Sequence, residues 1–212
     1  MESFIKVKNL TFQYKGVITD FKLGPISFDI EKGKLYFFSG NNGSGKTTLA
    51  KILTGNLNLP IDDKSIESKK YNSFYYNQLI EENIFSELTV KEHLTLFEQG
   101  SLYTIKELIE MFPVLNELQT KYPDELSGGQ NQLLGFCTII CKHFDLVVFD
   151  EVLNHLDNHI SEKVLDIISN ELIIKRNTSV IIIAHNFNLL KDYCDSIISF
   201  ENGKITINSQ NK

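Results

Sequence analysis

The chain predicts an α/β fold built on a mainly parallel sheet, and three observations lead there. Short apolar runs at Leu35–Ser39, Leu146–Phe149 and Ser179–Ile183 alternate with stretches of helical period. Unbroken runs of this kind suit strands covered on both faces, as in a parallel sheet. The first run leads directly into a glycine-rich segment, Gly40-Asn-Asn-Gly-Ser-Gly-Lys-Thr47, followed at once by a helical pattern. At 212 residues the chain reads as one domain, 1–212, with an N-terminal antiparallel β part and an inserted α-helical subdomain at roughly 80–142.

The elements follow in order. Phe4–Tyr14 alternates apolar and polar positions, and Ile26, Phe28 and Ile30 alternate again, so both read as strands. Glu31-Lys-Gly33 is a turn before the strand Leu35–Ser39. Lys46–Thr54 reads as a helix stopped by Gly55. Residues Asn56–Ser73 are polar and predict irregular structure, ending in a short strand at Phe74–Tyr76. From Thr89 to about Leu118 the period is helical, with Leu94, Phe97, Leu102, Leu108 and Phe112 apolar and Pro113 and Pro123 as punctuation. Gln130–Cys141 is a further helix, and Leu146–Phe149 a buried strand ending at Asp150-Glu151. Ser161–Ile174 predicts a helix, Ser179–Ile183 a strand, and Phe187–Tyr193 a helix. Ser196–Phe200 and Lys204–Ile207 form a hairpin around Asn202-Gly203, with Asn208–Lys212 expected to fray.

Bulk properties narrow the function classes. The net charge of -6 supplies no basic field for nucleic acid, and Lys69-Lys70 and Lys175-Arg176 read as solvated surface. Cys137, Cys141 and Cys194 show no CxxC spacing and predict buried or free thiols of a reducing compartment. Cys137 and Cys141 lie four apart near His143, but apolar packing accounts for them better than a metal does. The N-terminal residues carry no apolar stretch of signal-peptide length, and no apolar run is long enough to span a bilayer. The expectation is a cytoplasmic chain.

Several motifs carry chemistry. Gly40–Thr47 fits G-x-x-x-x-G-K-[ST], in the strand–loop–helix context that a phosphate loop needs. Gly43 and Gly45 let backbone amides wrap phosphates, and the helix beginning near Lys46 turns its positive end to the anion. Lys46 is expected at the β- and γ-phosphates and the Thr47 hydroxyl at Mg²⁺. Asp150 ends an apolar strand, where the active residues of open α/β sheets gather. It suits Mg²⁺, and Glu151 beside it suits polarising the attacking water. His185 follows the strand Ser179–Ile183 and reaches the same edge, as Gln78 does after Phe74–Tyr76. Tyr14 offers a ring face to a purine. Leu126-Ser-Gly-Gly-Gln130 combines a helix-capping Ser127 with Gly128 and Gly129, whose amides allow close approach of an anion.

Together these residues resemble the ATP-binding subunit of ABC transporters, the ATP-binding cassette ATPases, over nearly the whole chain. The resemblance implies a P-loop NTPase core that takes ATP and Mg²⁺. In its terms Tyr14 looks like the aromatic residue stacked on adenine, and Gly40, Asn41, Asn42, Gly43, Ser44, Gly45, Lys46, Thr47 and Thr48 form Walker A. Gln78 is similar to the Q-loop glutamine, a Mg²⁺ ligand with Thr47 and Asp150. Ser127, Gly128, Gly129 and Gln130 match the signature, Leu146–Asp150 matches Walker B, and Glu151 the catalytic glutamate. Asp157 looks like the D-loop aspartate and His185 the switch histidine. Leu88–Leu94 is similar to the opening of the helical subdomain. Val152 stands where proline is common after the glutamate, and Leu133 where arginine is often found; neither change removes a phosphate or Mg²⁺ ligand.

The resemblance also implies a mechanism and partners. Walker A of one subunit and the signature of a second ATPase subunit would close on one nucleotide, in a homodimer or heterodimer. A separate transmembrane permease would receive the work, placing the chain at the inner face of the cell membrane, with no nucleic acid partner. The alternative is a soluble ABC ATPase acting on a protein or ribonucleoprotein assembly. Asn154-His-Leu-Asp157 is similar to the D-loop of that translation-linked branch, whose members carry two cassettes where this chain has one.

Overall fold

A computed structural model describes residues 3–14, 21–60, 63–77, 84–98, 101–154, 156–184 and 187–209. These fall into two compact units. The first comprises Met1–Tyr76, Phe144–Glu151 and Val164–Lys212, and the second Asn77–His143 and Val152–Lys163.

In the first unit, β1 (Ser3–Phe12) pairs antiparallel with β2 (Leu23–Glu31) and with β4 (Ile66–Ser68), giving the order β2-β1-β4. The alternation along β1 puts Ile5, Val7 and Leu10 inward, with Ile26, Phe28 and Ile30 of β2 buried in the same cluster. The six-stranded sheet contains β3 (Leu35–Gly40), β5 (Ser73–Tyr76), β6 (Leu146–Asp150), β7 (Ser179–Ile183), β8 (Ser196–Glu201) and β9 (Lys204–Ser209). Its order is β5-β6-β7-β3-β8-β9, parallel throughout except for β9. The expected α/β fold with a mainly parallel sheet and an antiparallel β part is therefore present. All five residues of β6 and of β7 are buried, which is why their sequences show no period of two. Leu49, Ala50 and Leu53 of α1 (Lys46–Leu53) join the same core cluster, each fully buried leucine contributing about 1.5–3 kcal/mol.

In the second unit, α2 (Val90–Glu98), α3 (Ile105–Met111), α4 (Val114–Leu118) and α5 (Gly128–Ile140) enclose Val90, Leu94, Leu108, Phe112, Leu115 and Phe136. The rings of Phe112 and Phe136 meet edge to face, with centroids 6.2 Å apart. Within the expected helical stretch, caps mark where separate helices begin. The Thr104 hydroxyl accepts from the Glu107 amide, the Glu107 carboxylate accepts from the Thr104 amide at 2.8 Å, and Pro113 caps α4.

The long helix α6 (Asn158–Ile167) starts three residues earlier than its period suggests, and continues as wider π turns at Ile168–Lys175. Asp157 Oδ1 accepts the Ile160 amide at 2.8 Å and caps it. α7 (Phe187–Leu190) is one turn, shorter than expected, and β9 stays paired to Ser209 rather than fraying at Asn208. The three cysteines are buried and form no disulfide, and burial pushes the Cys137 thiol well up. Among the described residues no cluster of His, Cys, Asp and Glu could hold a metal, and no helix is long and apolar enough to cross a membrane.

Candidate nucleotide site and signature cleft

Strand register brings the first site together. Ile183 of β7 is paired with both Phe38 of β3 and Asp150 of β6, so the three strands end at one edge of the sheet. Ligands of open parallel sheets bind beyond such carboxyl ends. There, the loop after Gly40 turns back into α1. At Gly40 (φ 141°) a Cβ would lie 2.4 Å from the Phe200 carbonyl, and at Gly45 (φ 110°) 2.7 Å from Leu23. Only glycine fits either position.

The loop, Tyr14, Phe21, Glu151 and Ile183 line a cleft of about 460 Å³. Lys46 is 7 % exposed, and its ammonium donates to the carbonyls of Gly40 at 2.7 Å and Asn41 at 2.9 Å. Burial holds its pKa below the usual lysine value, with Asp150 and Glu151 opposing that shift. The Thr47 hydroxyl donates to Asp150 Oδ2 at 2.8 Å, and the Tyr75 hydroxyl donates to the same oxygen at 2.5 Å. A hydroxyl and a carboxylate side by side are hard oxygen donors that suit Mg²⁺. Ser44 Oγ is buried in the loop with no hydrogen-bond partner among the described residues, and an anion acceptor there would satisfy it.

Glu151 follows β6 with φ 62°, a conformation that costs a side-chain-bearing residue energy, and donates its amide to the Ile183 carbonyl at 2.8 Å. The bond holds its backbone at the cleft. The Tyr14 hydroxyl lies 3.2 Å from Thr48 Oγ1, and its ring meets Phe12 edge-on at 5.0 Å. Tyr14 lies just past the end of β1 rather than within the strand. Gln78 and His185 lie outside the described residues.

The structure adds two residues that sequence reasoning passed over. Phe21 lines the cleft with Tyr14, and Tyr75 holds Asp150. The alternation of β5 alone could have flagged Tyr75 as facing away from Phe74 and Tyr76, but not which carboxylate it meets.

The other motif lies in the second unit. Ser127 caps α5: its hydroxyl accepts the Gln130 amide at 3.2 Å, and the Gln130 side chain accepts the Ser127 amide at 2.9 Å. The helix therefore starts at Gly128, two residues before its apolar period, with Gly128 and Gly129 in its first turn. Ser127, Gly129 and Gln130 line a cleft of about 390 Å³ with Asp157 and the apolar Val114, Leu133, Leu156 and Ile160. Leu133, in the arginine position, is 2 % exposed, and Val152, in the proline position, is fully buried. Both departures are absorbed as core.

A strand, a glycine-rich loop and a helix, with lysine and threonine at its start and a strand-ending Asp-Glu beside it, define a phosphate-loop nucleotide-binding ATPase. Residues 23–154 match the family model described as ABC transporter, and the chain belongs to that family. It is 28% identical to the petrobactin import ATP-binding protein YclP of Bacillus subtilis, over 95% of this chain and 84% of that protein. It is also 28% identical to the energy-coupling factor transporter ATP-binding protein EcfA1 of Mycoplasmopsis pulmonis, over 95% of this chain and 80% of that protein. A dimeric ATP-binding cassette in a post-hydrolysis state with ADP and Pi superposes with a TM-score of 0.79 at 20% identity, covering 99% of this chain and 100% of that one.

Proposed function

We propose that this chain is the motor of a membrane transporter: it hydrolyses ATP as a nucleotide-sandwich dimer and drives a separate transmembrane subunit, to which it binds peripherally on the cytoplasmic side. One observation carries the reading. A single chain owns a cleft with Lys46, Thr47 and Glu151 and a different cleft with Ser127, Gly129 and Asp157. The names of its relatives span petrobactin import, energy-coupling factor transport and lipoprotein release, so the shared property is the motor and not the cargo.

The chemistry follows from the first cleft. Backbone amides of Gly43–Lys46 and the N-terminal end of α1 receive the phosphates, and Lys46 exchanges its loop carbonyls for phosphate oxygens. Tyr14 receives the adenine. Thr47 and Asp150, with Gln78, would hold Mg²⁺, which when bound neutralises phosphate charge. Glu151 takes a proton from water; the water oxygen bonds to the γ-phosphorus as its bond to the bridging oxygen of ADP breaks. His185 steadies the transferring group. The Ser127 hydroxyl and the Gly128–Gln130 amides of the partner close the other side of the γ-phosphate. The full span 1–212 acts as one cassette with a helical subdomain near 80–142.

The test is Glu151→Gln. Turnover should fall about a thousandfold, the loss of a general base, while ATP binding persists. Unchanged turnover would remove Glu151 from that role. Purification from membranes should bring down a membrane protein with the chain; its absence would defeat the transporter reading.

A further inference from the structure

Tyr75 stands out among the polar contacts of the first unit because nothing in the phosphate-loop arrangement requires it. Its hydroxyl donates to Asp150 Oδ2 at 2.5 Å, the oxygen that also accepts from Thr47. The contact is built by register. Tyr75 pairs with Val148 across the parallel β5–β6 ladder, which puts Asp150 two residues further along the same face of β6. That diagonal distance is within reach of an aromatic side chain and too long for a short one. The Lys51 ammonium, at the last turn of α1, lies over the ring 5.5 Å from its centroid. Tyr75 thus touches the carboxylate at the end of β6 while its ring rests against the helix that begins with Lys46 and Thr47.

We propose that Tyr75 is a positioning residue for the metal–nucleotide complex: its hydroxyl fixes the rotamer of Asp150, so that the carboxylate meets Mg²⁺ without reorganising. A carboxylate that ligates a metal is oriented by its own hydrogen-bond donors, and removing such a donor typically weakens metal affinity about tenfold or more. Tyr75 supplies that donor from β5, a strand separate from the glycine-rich loop. The inference rests on the reading of Thr47 and Asp150 as the Mg²⁺ ligands.

The test is a Mg²⁺ titration of fluorescent ATP-analogue binding, read against the same binding in EDTA. Tyr75→Phe keeps the ring and the Lys51 contact and removes only the donor. It should raise the Mg²⁺ concentration for half-maximal effect by roughly tenfold and leave the EDTA affinity and the melting temperature unchanged. Tyr75→Met, unable to donate, should shift the titration the same way. A parent-like Mg²⁺ response in both variants would overturn the assignment, as would an equal loss of affinity in EDTA, which would mean a collapsed cleft. If the parent chain shows no Mg²⁺ effect at all, the ligand reading itself fails, and that outcome is distinct from an unaltered response in the variants.

Discussion

The two glycine-containing segments that the proposed function assigns to nucleotide are built on opposite principles. Gly40–Thr47 is shaped by backbone that only glycine can follow and is filled by its own lysine, at the edge of three buried strands. Ser127–Gln130 has no such backbone; it is a capped helix start whose polar groups bond to one another, set in a cleft with four apolar side chains. The first has Lys46, Thr47 and Glu151 around one cleft, with Asp150 hydrogen-bonded to Thr47, a set that suits the proposed hydrolysis. The second offers amides and an apolar rim, which suits closing over a nucleotide held by another subunit. Under the proposed function, the difference separates binding from closure within one chain.

Gly129→Asp breaks the second segment alone. Aspartate is favourable in the first turn of a helix, so the fold should persist, while its charge repels phosphate. Turnover should fall about a hundredfold or more, as when oxyanion donors are lost, with ATP affinity of the isolated chain unchanged in equilibrium binding. Lys46→Ala breaks the first segment. Loss of charge-assisted hydrogen bonds should weaken ATP binding about a hundredfold by calorimetry, leaving the α5 cap untouched. If Gly129→Asp instead weakened binding to the lone chain, the separation of roles would be wrong.

Tyr14→Ala is a smaller perturbation. Removing a stacking ring should cost about tenfold in nucleotide affinity, with discrimination of ATP from GTP reduced. If affinity holds, Phe21 is the residue carrying the base.

The smallest effect concerns the helical unit. His93 is fully buried: Nε2 accepts the Phe85 amide at 2.8 Å and Nδ1 lies 3.0 Å from the Thr89 carbonyl. Burial holds its pKa below the ordinary value of 6.5, partly offset by the Thr89 hydrogen bond and by nearby Glu92. The unfolded chain therefore takes up the proton first. Stability present above pH 6.5 is lost as the pH falls below it. Thermal melts should show this decline, and His93→Phe should flatten it.

How much of this was legible in the sequence depends on where the signal lies. The strands β3, β6 and β7 were readable because burial on both faces writes an unbroken apolar run. β4 was not: Ile66-Glu-Ser68 is a short edge strand with both polar residues exposed, so no alternation marks it. α5 starts two residues before its apolar period because the Ser127–Gln130 capping box outweighs the loop propensity of Gly128-Gly129. At the site, residues inside contiguous motifs could be named from spacing alone. Tyr75 could not, since its partner is 75 positions away and depends on which strands pair. Gln78 and His185 rest on their motifs.

The central claim is that the two segments serve the same nucleotide only across two copies of the chain. Mixing Lys46→Ala protein with Gly129→Asp protein tests it most directly. Each alone should be nearly inactive, under conditions in which the parent hydrolyses ATP. A mixed dimer pairs the intact loop of one copy with the intact Ser127–Gln130 of the other, so the mixture should regain activity. A mixture that stays as inactive as its components, although the two variants still associate, would contradict the account.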